Sequence, residues 1–198
     1  SAITSVFTQG AYLDSSNDLA FAIGGDGFFG VRGQDGNTYY TRNGNFVLAT
    51  DTNGLALTTT DGLKVLDADG KPIVFDESFV ASQITVTADG QVCYPDDQNN
   101  PQPLGMEIGL WQFNNPSGLQ KTDSGLFSES AASGAAMNEY TTNSLVRSEL
   151  RQGYLEGSNV QVADEMVNMI VAQRAYELNS KAIQASDEMM QQANNLRR

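Results

Sequence analysis

Between Asp26 and Gly90 short β-rich runs alternate with turn dipeptides: Asp26-Gly27, Asp35-Gly36, Asn43-Gly44, Asn53-Gly54, Asp61-Gly62, Asp69-Gly70 and Asp89-Gly90. The first six follow one another at intervals of 9, 8, 10, 8 and 8 residues. Asp-Gly and Asn-Gly provide the positive φ angles of tight hairpins, and the runs between them, such as Thr38-Tyr39-Tyr40-Thr41, Phe46-Val47-Leu48 and Lys64-Val65-Leu66, carry strand-forming residues. Ile84-Thr85-Val86-Thr87 alternates apolar and polar positions, and Met106 to Leu110 predicts a further strand after a Pro-containing loop, Pro95 to Pro103. The residues between the turns do not recur in kind, so the pattern is not that of a solenoid. It predicts an all-β domain over residues 1–134, a compact barrel or sandwich of short antiparallel strands.

The hydrophobic period then changes. Residues 135–157 form a connector, in which Asn138 to Gln152 could give at most a short helix. From Ser158 to Arg198 there is no Gly or Pro. Ser158-Asn159-Val160-Gln161 has the form of a capping box, Asp164 and Glu165 lie near its start, and Arg197 and Arg198 close it. These signals predict a single helix over 158–198, about 58 Å long at 1.5 Å per residue. Seven-residue spacing runs along Val162, Met169, Tyr176, Ile183 and Met190, and again along Ala175, Ala182, Met189 and Leu196, with Val171 and Leu178 alongside. The resulting fold class is mainly β with a long, coiled-coil-forming C-terminal α-helix. A strand of 5 or 6 residues spans less than about 20 Å, so the β domain could cover only part of such a helix. Its apolar stripe then requires another chain, and Val162, Met166, Met169, Val171, Ala175, Tyr176, Leu178, Ala182, Ile183, Met189, Met190 and Leu196 are the expected subunit interface.

Composition narrows the chemistry. Eleven basic against 24 acidic side chains give 11 − 24 = −13 in 198 residues, with pI near 4.1. That balance opposes binding to a phosphate backbone, so nucleic acid is not an expected partner. Histidine is absent, which removes imidazole acid/base catalysis, Ser-His-Asp systems and His-ligated zinc. A single cysteine, Cys93, cannot close an intrachain disulfide and reads as a small buried hydrophobe. No stretch approaches the ~20 apolar residues that span a bilayer, so membrane insertion is not expected, and Ser1 to Gly10 has no cleavable-signal pattern.

Several segments resemble one family. They are Ala22-Ile23-Gly24-Gly25-Asp26-Gly27-Phe28-Phe29, Tyr40-Thr41-Arg42-Asn43-Gly44-Asn45-Phe46, Phe113-Asn114-Asn115-Pro116-Ser117-Gly118-Leu119 and Leu155-Glu156-Gly157-Ser158-Asn159-Val160. In this order they are similar to signatures of the bacterial flagellar rod and hook proteins. The ending, Glu165 to Ile170 and Gln173 to Lys181, is most similar to the distal rod members. Asp18, Ala20 and Gly157 depart from the usual residues, and the family's N-terminal helix is missing, as in a truncated chain. The resemblance implies a structural subunit of the basal-body rod, exported through the flagellar type III apparatus without a cleavable signal and assembled in the periplasm. Its partners would be copies of itself in a helical polymer and other rod and hook subunits.

Other chemistry is weaker. Asp51-Thr52-Asn53-Gly54 and Asp67-Ala68-Asp69-Gly70 lack the further ligands of a calcium loop, and Gly24-Gly25-Asp26-Gly27 lacks the pattern of a phosphate loop. No catalytic residue, metal ligand or cofactor is expected. The alternatives are a hook or proximal rod subunit, or, in a different class, a secreted β-rich binding module or hydrolase with an oligomerisation helix. The last would need a concave site with converging, perturbed carboxylates.

Overall fold

The computed structural model describes residues 7–122, 125–157, 173–178, 180, 181, 183 and 184. The chain divides into two compact units, Ser1–Gly157 and Ser158–Arg198.

In the first unit the described strands are β1 (Tyr12–Asp14), β2 (Phe21–Gly24), β3 (Phe28–Arg32), β4 (Thr38–Thr41), β5 (Phe46–Asp51), β6 (Gly54–Thr59), β7 (Lys64–Val65), β8 (Val74–Phe75) and β9 (Thr85–Val86). There follow β10 (Gln91–Pro95), β11 (Pro101–Glu107), β12 (Leu110–Gln112), β13 (Gln120–Lys121), β14 (Phe127–Ser128), β15 (Met137–Asn138), β16 (Glu149–Gln152) and β17 (Tyr154–Glu156). Most lie in one sheet with the path β13-β14-β4-β3-β7-β6-β5, to which β12, β15 and β8 attach. Strands β11-β10-β9 form a second sheet, and β16-β2 and β1-β17 are two-stranded ribbons. Every pair among them is antiparallel, and those joined by a tight turn, such as β3–β4 and β5–β6, have to be.

Strand β3 is the centre of the packing because both of its faces are covered. Phe29 and Val31, two residues apart, enter a core with Phe21, Phe46, Leu57 and Ile108, whereas Phe28 points the other way into a cluster with Tyr40, Trp111, Phe113 and Leu119. In that second cluster the rings meet edge to face, Tyr40 to Phe113 at 4.9 Å and Phe28 to Phe113 at 5.6 Å. Cys93 is buried in β10.

Three expectations are corrected. The first is the long coiled-coil helix. Among the described residues helix is continuous only over 173–178, with 180, 181, 183 and 184 also helical, so no long C-terminal helix is described, and the rest of the predicted span 158–198 lies outside the described residues. Most helical stability in a protein comes from burying an apolar face. Tyr176, Leu178 and Ile183 are 79%, 68% and 65% exposed, so little burial supports the local propensity here. The second concerns the turns. Gly36, Gly54, Gly62, Gly70 and Gly90 adopt positive φ, but Gly27 and Gly44 do not. These two serve close approach instead: a Cβ on Gly27 would lie 2.7 Å from Glu139 Oε1, and one on Gly44 would collide with the Phe21 carbonyl oxygen. The third is the loop Pro95 to Pro103, whose ends belong to β10 and β11. Strand β11 is an edge, where the prolines' missing N–H groups cost no ladder bond. The run Met106 to Leu110 is accordingly divided between β11 and β12, and no helix forms within 138–152, which holds turns and β16.

Candidate functional site

The two ends of the β unit are brought together by β1 and β17. Tyr12 pairs with Glu156, Leu13 with Leu155 and Asp14 with Tyr154. The ladder is extended at one end by Gly157 N–H donating to the Ala11 carbonyl at 2.8 Å and at the other by Ser15 N–H donating to the Gly153 carbonyl at 2.8 Å. Gly10 allows this approach, since a Cβ there would overlap the Gly157 carbonyl oxygen. Phe7 anchors the incoming strand by edge contacts to Phe28 at 5.1 Å and Phe127 at 5.0 Å.

One ion pair sits at this junction. Arg42 Nε donates to Glu156 Oε2 at 2.6 Å, with side-chain exposures of 16% and 11%. The remaining guanidinium donors reach the carbonyls of Gly25 at 2.8 Å, Gly27 at 2.7 Å and Ile23 at 3.2 Å, and Gln9 Oε1 at 3.3 Å. Glu156 Oε1 accepts from Gly10 N–H at 2.8 Å and Gln9 Nε2 at 3.0 Å. The planar fork of arginine suits this arrangement in a way a lysine ammonium could not.

A second polar node lies beneath the Gly25-to-Gly27 turn. Glu139 is 4% exposed and accepts from Ser148 N–H, the Ser148 hydroxyl and Gln112 Nε2, each at 2.8 Å. Ser148 Oγ in turn accepts from Gly27 N–H at 3.0 Å. Nothing in the sequence spacing of Glu139, Ser148, Gln112 and Gly27 indicates that they meet.

The surface also carries a groove of about 760 Å³ lined by Asn37, Thr38, Tyr39, Tyr40, Gln120, Lys121, Thr122, Ser128 and Glu129. Its carboxylate, Glu129, accepts the Tyr40 hydroxyl at 3.1 Å and Ala136 N–H at 3.1 Å. Burial, reinforced by the charge of Glu129, pushes the Tyr40 phenol upward. The carboxyls held below their usual range lie elsewhere, in or beside turns. The Tyr39 hydroxyl lowers Asp35, the Lys64 ammonium lowers Asp51, the Ser78 hydroxyl lowers Asp76 and the Asn100 N–H lowers Asp96. These are acceptors in Asx-type turns and one ion pair, not an acid and a base facing one substrate. Among the described residues no group of three or more His, Cys, Asp or Glu is placed to hold a metal ion, and no helix is long and apolar enough to cross a membrane.

Comparison with known proteins decides the family. The signature of the flagellar hook protein FlgE/F/G D1 domain matches residues 22–94, and that of the C-terminal region of the flagellar basal body rod FlgEFG proteins matches residues 151–196. The chain is 44% identical over 98% of its length to a flagellar basal-body rod protein FlgG of Borreliella burgdorferi, covering 70% of that protein. It is 40% identical over 96% of its length to the FlgG of Buchnera aphidicola from Acyrthosiphon pisum, covering 70% of it, and 39% identical over 99% of its length to that of Bacillus subtilis, covering 72%. The chain belongs to the flagellar basal-body rod protein family. Arg42 lies in one of the two rod-family segments and Glu156 in the other, so the ion pair ties them together.

Of the twelve expected interface residues, Ala175, Tyr176, Leu178 and Ile183 are described, and all four side chains are exposed. Val162, Met166, Met169, Val171, Ala182, Met189, Met190 and Leu196 lie outside the described residues. What sequence reasoning missed is the junction. Arg42 entered only as part of a family motif, and Glu156 likewise. The available signal was a lone Arg beside an Asn-Gly turn in a strongly acidic chain.

Proposed function

We propose that this rod-family chain is a structural subunit of the flagellar basal body that polymerises with copies of itself and with other rod and hook subunits into the axial shaft. Membership of the family across both matched segments is the observation that carries this reading. The β1–β17 ladder supports it, because it makes the β unit a body in which the chain enters and leaves at one place. Within this reading the subunit occupies the distal part of the rod, is exported without a cleavable signal and assembles in the periplasm.

The contact between copies runs through the apolar residues of the C-terminal unit, of which Tyr176, Leu178 and Ile183 present their side chains to solvent. A neighbour that covers them removes exposed apolar surface at ~25 cal/mol per Å², repeated at every subunit added. Head-to-tail contacts of this kind give an open filament when their rotation does not close into a ring.

The test is Ile183→Asp in the chromosomal gene. Burying an unpaired carboxylate in a subunit contact opposes association strongly. The expected result is loss of motility and basal bodies lacking the distal shaft, while the purified variant keeps the strand content and melting temperature of the parent. Normal motility, with the variant present in isolated basal bodies, overturns the role given to this face.

A further inference from the structure

We propose that Arg42 is a positioning residue that locks the junction between the N-terminal and C-terminal ends of the β unit, so that the two ends move as one rigid piece with the Gly25-to-Gly27 turn. The geometry is specific to that task. The guanidinium spends its donors on four different segments: Gln9 on the incoming chain, Ile23 at the end of β2, Gly25 and Gly27 in the following turn, and Glu156 at the end of β17. Glu156 returns to the incoming chain through Gly10 and Gln9, which are 146 and 147 residues away in sequence.

The ribbon β1–β17 has three ladder pairs and its own hydrogen bonds, too few to resist bending alone. Arg151 adds a second brace from β16 by lying over the Tyr12 ring at 4.5 Å. Ile23, Gly25 and Gly27 are continuous with the buried β2 and β3, so the guanidinium fastens a weak ribbon to the strongest part of the core. Because the pair is largely withdrawn from water, its attraction is little screened by salt. In the rod reading the lock keeps the two ends of the β unit together when torque is applied. That purpose rests on the proposed function, whereas the lock itself is read from the isolated chain.

The experiment is hydrogen exchange followed by mass spectrometry on the 198-residue chain and on Arg42→Lys, Glu156→Gln and Lys64→Gln. Lys64 pairs with Asp51 at 2.9 Å away from the junction and serves as control. Arg42→Lys keeps the charge but not the fork, and Glu156→Gln keeps the volume if the lysine variant fails to fold. The expected result is exchange at least threefold faster in peptides covering 9–14 and 153–157 for both junction variants. Peptides covering 28–59 should change less than twofold, and Lys64→Gln should leave the junction at the parent rate. A junction change below threefold, or an equal rise across the whole unit, overturns the proposal. Failure of rod assembly in Ile183→Asp tests the other reading and leaves this result untouched.

Discussion

Replacing Glu139 by Gln changes one atom and exposes the logic of the node beneath the Gly25-to-Gly27 turn. The carboxylate accepts three hydrogen bonds of 2.8 Å, two from Ser148 and one from Gln112. A glutamine has one acceptor oxygen. If that oxygen takes the Oε1 place, its NH₂ faces the Ser148 N–H and leaves a buried donor unpaired, at a cost of about 1–3 kcal/mol. If it takes the Oε2 place, the bond from Gln112 is lost and Ser148 Oγ must accept a second donor besides Gly27 N–H. In either orientation the surviving bonds fall from charge-assisted to neutral, about 1 kcal/mol each. Relief of the desolvation of a buried carboxylate offsets part of this. The net expectation is a loss of about 2–3 kcal/mol from a domain whose stability is of order 5–15 kcal/mol. Urea unfolding followed by the fluorescence of Trp111, the single tryptophan and 8% exposed, reads it directly. The melting temperature should fall by about 4–12 °C at 2–4 °C per kcal/mol. Glu139→Ala, with no acceptor left, should lose more. A glutamine variant as stable as the parent would mean that desolvation equals the three bonds, and the node would then contribute specificity and not stability.

Gly44→Ala should destabilise more than Gly62→Ala, measured by the same unfolding curves. Gly44 has ordinary φ but an alanine Cβ there meets the Phe21 carbonyl, an overpacking cost of about 1–3 kcal/mol, whereas Gly62 has φ of 82° with open space around it, so an alanine there meets only left-handed strain, about 1 kcal/mol. The reverse order would refute the close-approach reading. For the turn carboxyls Asp35, Asp76 and Asp96, the folded-state value lies below the unfolded one. Their contribution is therefore complete above about pH 4, the unfolded value, and is lost as pH falls through the folded value. Unfolding midpoints between pH 5 and pH 2 should decline, and Asp96→Asn should flatten part of that decline. A variant curve parallel to the parent's would remove Asp96 from the account.

The β character of residues 26–90 was readable because period-2 alternation and Asp-Gly or Asn-Gly turns are local signals. Strands β4, β5 and β7 fall on the runs that carry them. The alternation at Phe28 and Phe29 was harder to interpret, since two adjacent aromatics both buried make sense only when each face of β3 has a cover. The C-terminal segment misled for a related reason. Caps, charge placement and seven-residue spacing describe what a helix would do with a partner, and the helix described at 173–178 has Tyr176 and Leu178 in solvent. Local sequence supplies propensity, and packing supplies most of the free energy.

By itself the sequence determined an acidic, histidine-free chain with a β-rich front and an apolar-striped end, together with the motifs that resemble the rod and hook family. The tertiary structure decided which of those residues meet. Arg42 and Glu156 stand 114 positions apart and touch at 2.6 Å, and Glu139 finds Gln112 across 27 residues. Turns, strands and charges depend on near neighbours and can be read along a line. A buried ion pair or a shared carboxylate depends on which segments the closed sheets bring side by side, and that follows from the packing of the entire unit.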